Sequence, residues 1–194
     1  DYASARKALG NVVALNIIIG VAFMAVSLLF LDKILLFFGA SENTLQYARE
    51  YMEIILYGNV VTHMYLGLNA VMRSGGHPQR SMAMTILTVI LNAILDPIFI
   101  FVLDWGIRGA AIATILAQIV ALTWILISFT NKQEMLHFES GIFKLDRRIV
   151  TASLSIGMAP FLMNVAACVI VIFINNGLQQ HGGDLAIGAY GIVN

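Results

Sequence analysis

The chain has 194 residues, of which 59% are hydrophobic and 11% charged, and its eleven basic and eleven acidic residues balance to zero net charge. A mean hydropathy of +0.85 is more apolar character than one soluble core of this size can hide, so the sequence reads as an all-α, polytopic integral membrane protein. The charge balance indicates no nucleic-acid partner, and the single cysteine, Cys168, in the middle of an apolar run, excludes a disulfide framework or a multi-thiolate metal site within the chain.

In chain order, charge-free runs cover residues 11–31, 54–72, 109–129 and 149–176, and 81–103 is interrupted only by Asp96. Each matches the roughly 20 apolar residues that a membrane-crossing helix needs. A sixth run starts near Leu185. Residue 1 is Asp and the first ten residues read as the polar approach to a span, so the chain is expected to be an internal piece of a larger protein. Connections fall at FFGASEN (37–43), RSGGHPQR (73–80) and VLDWGIRG (102–109), where Gly and polar residues supply turn chemistry.

The one long polar segment is NKQEMLHFESGIFKLDRR, 131–148. It interleaves charges with Met135, Leu136, Phe138, Ile142, Phe143 and Leu145, a composition suited to lying along a membrane surface. It marks a boundary between lobes: 1–130 forms part of a first transmembrane lobe with four spans, 131–148 a cytoplasmic connection, and 149–194 the start of a second lobe. If the segment before the first span is cytoplasmic, that side holds Arg6, Lys7, Arg73, Arg80, Lys132, Lys144, Arg147 and Arg148, against Lys33, Arg49 and Arg108 opposite. The excess of Lys and Arg favours this orientation.

Asp96 stands out because an acid well inside a bilayer costs about 2.5–3.5 kcal/mol and is normally turned toward protein or a watery cavity. It is therefore a site candidate. The alternative is local: Pro97 has no N–H and leaves the Ala93 carbonyl without its helical partner, and Asp96 serves the kink. Thr85, Thr88, Asn92 and Asp96 are spaced 3, 4 and 4 apart, which puts all four on one helical face. Counting at about 1.5 Å per residue from the turn near Trp105 places Asp96 and Thr114 at one depth, and the same count from the turn near Glu42 brings Tyr51 to that level. Tyr65 and Asn69, four apart, together with Met64 and Met72, are placed deeper, lining the lower part of a cavity. His63 and Gln118 read as satisfied interior polar residues.

LNAILDPIFIF, followed by GIRGAAIATILAQ and preceded by NAVMRSGGHPQRSM, resembles the multidrug and toxic compound extrusion (MATE) family. SIGMAPFLMN resembles the opening of that family's second lobe, and GGDLAIGAYGI the entry to its helix eight. The resemblance implies a twelve-helix, two-lobe antiporter of which this chain supplies helices three to seven and the start of eight. It further implies that Asp96, Asn92, Thr114 and Tyr51 belong to a proton or sodium network, and that Asn69 and Tyr65, with Thr88, face the drug cavity. The family's helix-one aspartate is not in this chain. Another branch carries its acid on helix seven, but Ile149 to Asn176 contains none. His77 and Pro78 fill a connection that often carries Asn or Asp, and turn chemistry explains them.

The expected function is export of amphipathic or cationic small molecules in exchange for H⁺ or Na⁺. The protein would lie multi-pass in a bacterial inner membrane, with no cofactor beyond the coupling ion and no resident metal, its partners being substrate, lipid and the remaining helices of the full-length chain. In the proton version Asp96 loads and releases a proton as the cavity changes hydration; in the sodium version Asp96, Asn92, Thr114 and Tyr51 offer hard oxygen ligands. The rival is a lipid-linked oligosaccharide flippase of the same superfamily, for which basic residues inside the cavity are expected; no span has an interior Lys or Arg. An intramembrane hydrolase would need a paired acid, a Ser with a base or an HExxH motif, and none is present. A purely structural membrane subunit is the remaining alternative, which substrate efflux by the intact protein would eliminate.

Overall fold

The computed structural model describes residues 2–131, 134–138, 141 and 144–193. Lys132 of the charge count and Ile142 and Phe143 of the surface segment lie outside the described residues. Among the described residues seven α-helices follow one another: α1 (Tyr2–Leu29), α2 (Leu31–Phe37), α3 (Glu42–Tyr57), α4 (Asn59–Ser74), α5 (Pro78–Pro97), α6 (Gly106–Thr130) and α7 (Arg147–Val193). No strand occurs among the described residues. Among the described residues four helices are long and apolar enough to cross a membrane, and α3 with α4 count as a fifth span when the bent pair is taken as one.

That fifth span differs from the straight helix expected over 54–72: α3 and α4 meet at Gly58 with a bend of 56°. The bend lets α6 come close, because a Cβ on Gly58 would lie 2.4 Å from Ile115 Cδ1. The next residue, Asn59, donates its side-chain amide to the Gly20 carbonyl of α1 at 2.9 Å, tying the corner to a neighbour. Ser41 starts α3 with a reciprocal cap, its hydroxyl accepting from Thr44 N while Thr44 Oγ1 accepts from Ser41 N.

α5 begins with Pro78 at its first turn, where a missing N–H costs nothing. At its far end Pro97 interrupts the α-helical ladder and the chain widens into a π-helical turn, Ile98–Val102, with Leu103 N donating to Ile98 O at 2.9 Å. Asp104 and Gly106, both at positive φ, then reverse the chain into α6. The return is tight. A Cβ on Gly109 would stand 2.7 Å from the Phe99 carbonyl oxygen, so α6 packs on the π-turn only because residue 109 is Gly.

α6 is the central helix, with Ala111, Ala113, Ala117 and Ala121 fully buried. Small residues allow the backbones of α4 and α5 to approach closely, the usual device where lipid offers no hydrophobic gradient between helices. The main core joins Leu9 and Val13 of α1, Met64, Tyr65, Leu68 and Met72 of α4, Met84 of α5, and Ile125 and Phe129 of α6.

α7 stands apart. It breaks at Gly183 (φ 62°), so the run expected from Leu185 is the piece after this break. Beyond the hydrogen bonds of its first turn to Asp146, it is tied back to the chain by Asn175 and Asn176, which donate to the carbonyls of Phe38 and Phe37, each at 3.1 Å. Its apolar side chains, including Ile156, Phe173 and the lone Cys168, are exposed in this chain.

The segment between α6 and α7 contains no helix among its described residues and folds back on the end of the bundle formed by the start of α1 and the α4–α5 turn. Glu134 bridges to Arg80 at 2.7 Å and to His77 at 3.1 Å, and Arg6 Nε donates to the Met135 carbonyl. The cations therefore segregate in space. Arg6, Arg80 and Lys144 gather at this end, while Arg49 pairs with Asp32 and Arg108 with Glu50 at the other.

Candidate functional site

The polar face of α5 is real, and its upper part meets α6. Asn92 sits one helical turn before Asp96, and its amide nitrogen donates to Asp96 Oδ1 at 3.0 Å and to Thr114 Oγ1 at 3.3 Å. Thr114 passes its own proton to the Ala110 carbonyl at 3.0 Å, so its oxygen is presented to Asn92 as an acceptor. These three side chains share a depth because α5 and α6 are antiparallel neighbours joined by a short turn. All three are half-buried.

Asp96 is satisfied on one oxygen only, and no Lys, Arg or His lies within salt-bridge distance of it among the described residues. A carboxylate in an apolar span without a counter-cation is by default a candidate functional group. Asn92 turns its amide nitrogen toward the carboxylate, and the oxygen of Thr114 lies one hydrogen bond further along. The kink alternative finds no direct support, since the one hydrogen bond of Asp96 goes to a side chain and none goes to the backbone around Pro97.

Tyr51 on α3 is half-buried and makes no hydrogen bond among the described residues, so the fourth member of the expected network is not joined to the other three here. A count along the helix addresses only level and carries no information on direction around the helix axis.

Lower down, the Thr88 hydroxyl lies 3.2 Å from the Tyr65 hydroxyl, linking α5 to α4. Next comes a tighter pair: Ser81 Oγ donates to Asn69 Oδ1 at 2.6 Å, and Asn69 Nδ2 donates to the Ser81 carbonyl at 3.1 Å. Tyr65 and Asn69 are buried, at 5% and 8% exposure, and Met64 and Met72 lie with them in the main core. In this chain they form a packed α4–α5 seam. The sequence reading places both along the deeper part of a cavity, and the contacts between α4 and α5 that pack them here are invisible to spacing along one helix.

Gln118, read as a satisfied interior polar residue, lies a turn below Thr114 on α6 and accepts a 2.6 Å hydrogen bond from the Thr62 hydroxyl of α4. His63 is half-buried and edge-on to Phe23 with centroids 6.5 Å apart, and it makes no hydrogen bond among the described residues.

A family model described as MatE matches residues 1–98. The multidrug export protein MepA of Staphylococcus haemolyticus (strain JCSC1435) is 30% identical over 192 residues, covering 99% of this chain and 42% of that protein. MepA of Staphylococcus aureus (strain NCTC 8325 / PS 47) is 28% identical with the same coverage. The chain thus spans about two fifths of the length of the curated relatives it matches. Among solved structures, an inward-facing multidrug resistance MATE family transporter of the MOP superfamily superposes with a TM-score of 0.87 at 26% identity, over 95% of this chain and 43% of that one. An outward-facing structure of such a transporter shares the fold, with a TM-score of 0.80 at 24% identity.

Proposed function

Since the chain belongs to the MatE family, we propose that it is part of a secondary antiporter that exports amphipathic or cationic small molecules in exchange for H⁺ or Na⁺. The observation that carries this reading is the carboxylate of Asp96 in an apolar span, hydrogen-bonded to Asn92 on one oxygen and without a basic partner. Binding of a proton or Na⁺ neutralises that charge, and a site whose cost of burial depends on occupancy biases one conformation of the transporter over another. Asn92 and Thr114 orient the carboxylate and offer oxygens to the ion, and Tyr51 joins them when α3 turns its hydroxyl inward. Tyr65, Thr88 and Asn69 connect this site to the deeper seam, where substrate contact is assigned.

Support for multidrug export comes from the relatives named for it, which are bacterial; the protein is accordingly placed multi-pass in a bacterial cell membrane, the inner one where there are two. The chain acts here as a transporter and not as an enzyme, with 1–130 in one lobe, 131–148 connecting and 149–194 opening the next. The absence of Lys and Arg from the span interiors favours cationic cargo over a lipid-linked phosphosugar.

The test is efflux of a fluorescent cationic dye from vesicles holding the full-length protein, with pH and Na⁺ gradients imposed separately. Dye movement uphill under at least one gradient is expected. Transport that responds to neither gradient would overturn the antiport reading.

A further inference from the structure

One cavity on the connecting-segment side has no role in this scheme. It has a volume of about 410 Å³ and lies between the start of α1 and the start of α7, lined by Lys7, Gly141, Lys144, Leu145, Asp146 and Arg147. Three cations thus converge on one acid, and that acid is already engaged: Asp146 Oδ1 accepts from the Arg148 backbone N–H at 2.9 Å, capping α7. Lys7, Lys144 and Arg147 have no acidic partner within salt-bridge distance among the described residues.

The frame of the cavity is rigid. Asn11 of α1, 1% exposed, donates to the carbonyls of Lys7 at 2.8 Å and Lys144 at 3.3 Å, and its Oδ1 accepts from Asp146 N at 2.8 Å. One buried amide therefore holds three of the lining residues by their backbones, including two of the cations. Polar satisfaction of this kind, at a point where two transmembrane helices are joined by an irregular segment, fixes the spacing of the charges above it.

We propose that this cavity binds the phosphate-bearing headgroup of an anionic phospholipid, which bridges α1 to the entry of α7. The charge is complementary, and the place is right: Ile149 and the apolar run after it enter the membrane directly above Arg147, so the cavity lies at headgroup level. Basic pockets between transmembrane helices at the cytoplasmic surface are where such headgroups are held. Because the lipid touches both helices, it holds the connection in one arrangement, and its occupancy tunes the relative motion of what lies on either side.

The test uses the full-length protein in detergent, with native mass spectrometry and thermal unfolding read after adding phosphatidylglycerol, phosphatidylcholine, inorganic phosphate or glycerol 3-phosphate. Retained adducts and a raised Tm are expected with phosphatidylglycerol alone. Lys7→Gln/Lys144→Gln/Arg147→Gln should weaken lipid retention by roughly a hundredfold, at about fivefold per cation. The charge-retaining Lys7→Arg/Lys144→Arg/Arg147→Lys should keep it, which separates loss of charge from loss of fold. Arg73→Gln/Arg148→Gln, removing charges of the same face outside the cavity, should change it little. Equal retention by the triple Gln variant, equal loss in the Arg73/Arg148 variant, or the same Tm rise with inorganic phosphate would each overturn the proposal. Transport is not the readout, so failure here leaves the antiport reading standing.

Discussion

Ser81 and Asn69 close a two-bond ring across the α4–α5 turn, the hydroxyl donating to the amide oxygen at 2.6 Å and the amide nitrogen donating back to the Ser81 carbonyl at 3.1 Å. Both residues are buried, so each atom of the ring would be orphaned by loss of its partner. Asn69→Ala is expected to destabilise the full-length protein by about 1–3 kcal/mol, read as a lowered Tm in detergent. A transport defect larger than the loss of Tm accounts for would add substrate contact to this structural role, as proposed for the seam.

Asp96→Asn keeps the size and most of the hydrogen bonding of the side chain but removes its ionisation. Expression and Tm should be equal or slightly higher, because an amide avoids the cost of a charge in the span. Ion-driven uphill efflux should vanish, since a site with no differential affinity for the ion cannot shift the conformational equilibrium. Thr114→Ala, which removes one neutral oxygen, should reduce efflux less. Full efflux by a well-expressed Asp96→Asn protein would return this acid to a structural role.

Gly109→Ala places a methyl group 2.7 Å from the backbone oxygen of Phe99, which cannot rotate away. The π-turn or the start of α6 must move, and overpacking of this kind costs about 1–3 kcal/mol. Gly67→Ala is the control: its Cβ would meet the Asn16 side-chain amide at 2.2 Å, a group that can swing aside, so a smaller loss of Tm is expected.

The clasp of Glu134 on Arg80 and His77 should depend on pH. Hydrogen bonding to Arg80, with the charges of Arg80 and His77 adding, holds the Glu134 carboxyl below its ordinary value of 4.5. A lowered folded-state value means the clasp contributes its full stability above the ordinary value and loses it as pH falls through the lowered one. Spin labels at Ser74 and Met135 should report an unchanged separation from neutral pH down to the ordinary value of 4.5 and a release only below it. In Glu134→Gln this acid transition should be missing.

Sidedness is tested by cysteine labelling in a Cys168→Ala background. Gly76 and Gly106, natural choices in the turns, have φ of 95° and 55° and would be strained by any side chain. Gln79 and Ile107, exposed beside them, are better sites. Gln79→Cys should react from the cytoplasm and Ile107→Cys from outside; the reverse pattern would invert the orientation argued from Lys and Arg.

Composition and charge placement determined the class of this protein: apolar runs of membrane-crossing length can only become helices in lipid, where every backbone group must be bonded within its own segment. The spacing of Thr88, Asn92 and Asp96 likewise determined that they share a face, because helical period is a property of one chain segment. The antiparallel return of α6 brought Thr114 to Asn92 through a turn short enough to count across. Only the tertiary structure decided the rest. The 56° bend at Gly58, the closure of Tyr65 and Asn69 into a packed seam and the clamp of Asn11 on Lys144 and Asp146 all depend on how one helix is rotated and tilted against another. That rotation is set by close contacts between distant residues, Gly58 with Ile115 and Gly109 with Phe99, which no local pattern encodes.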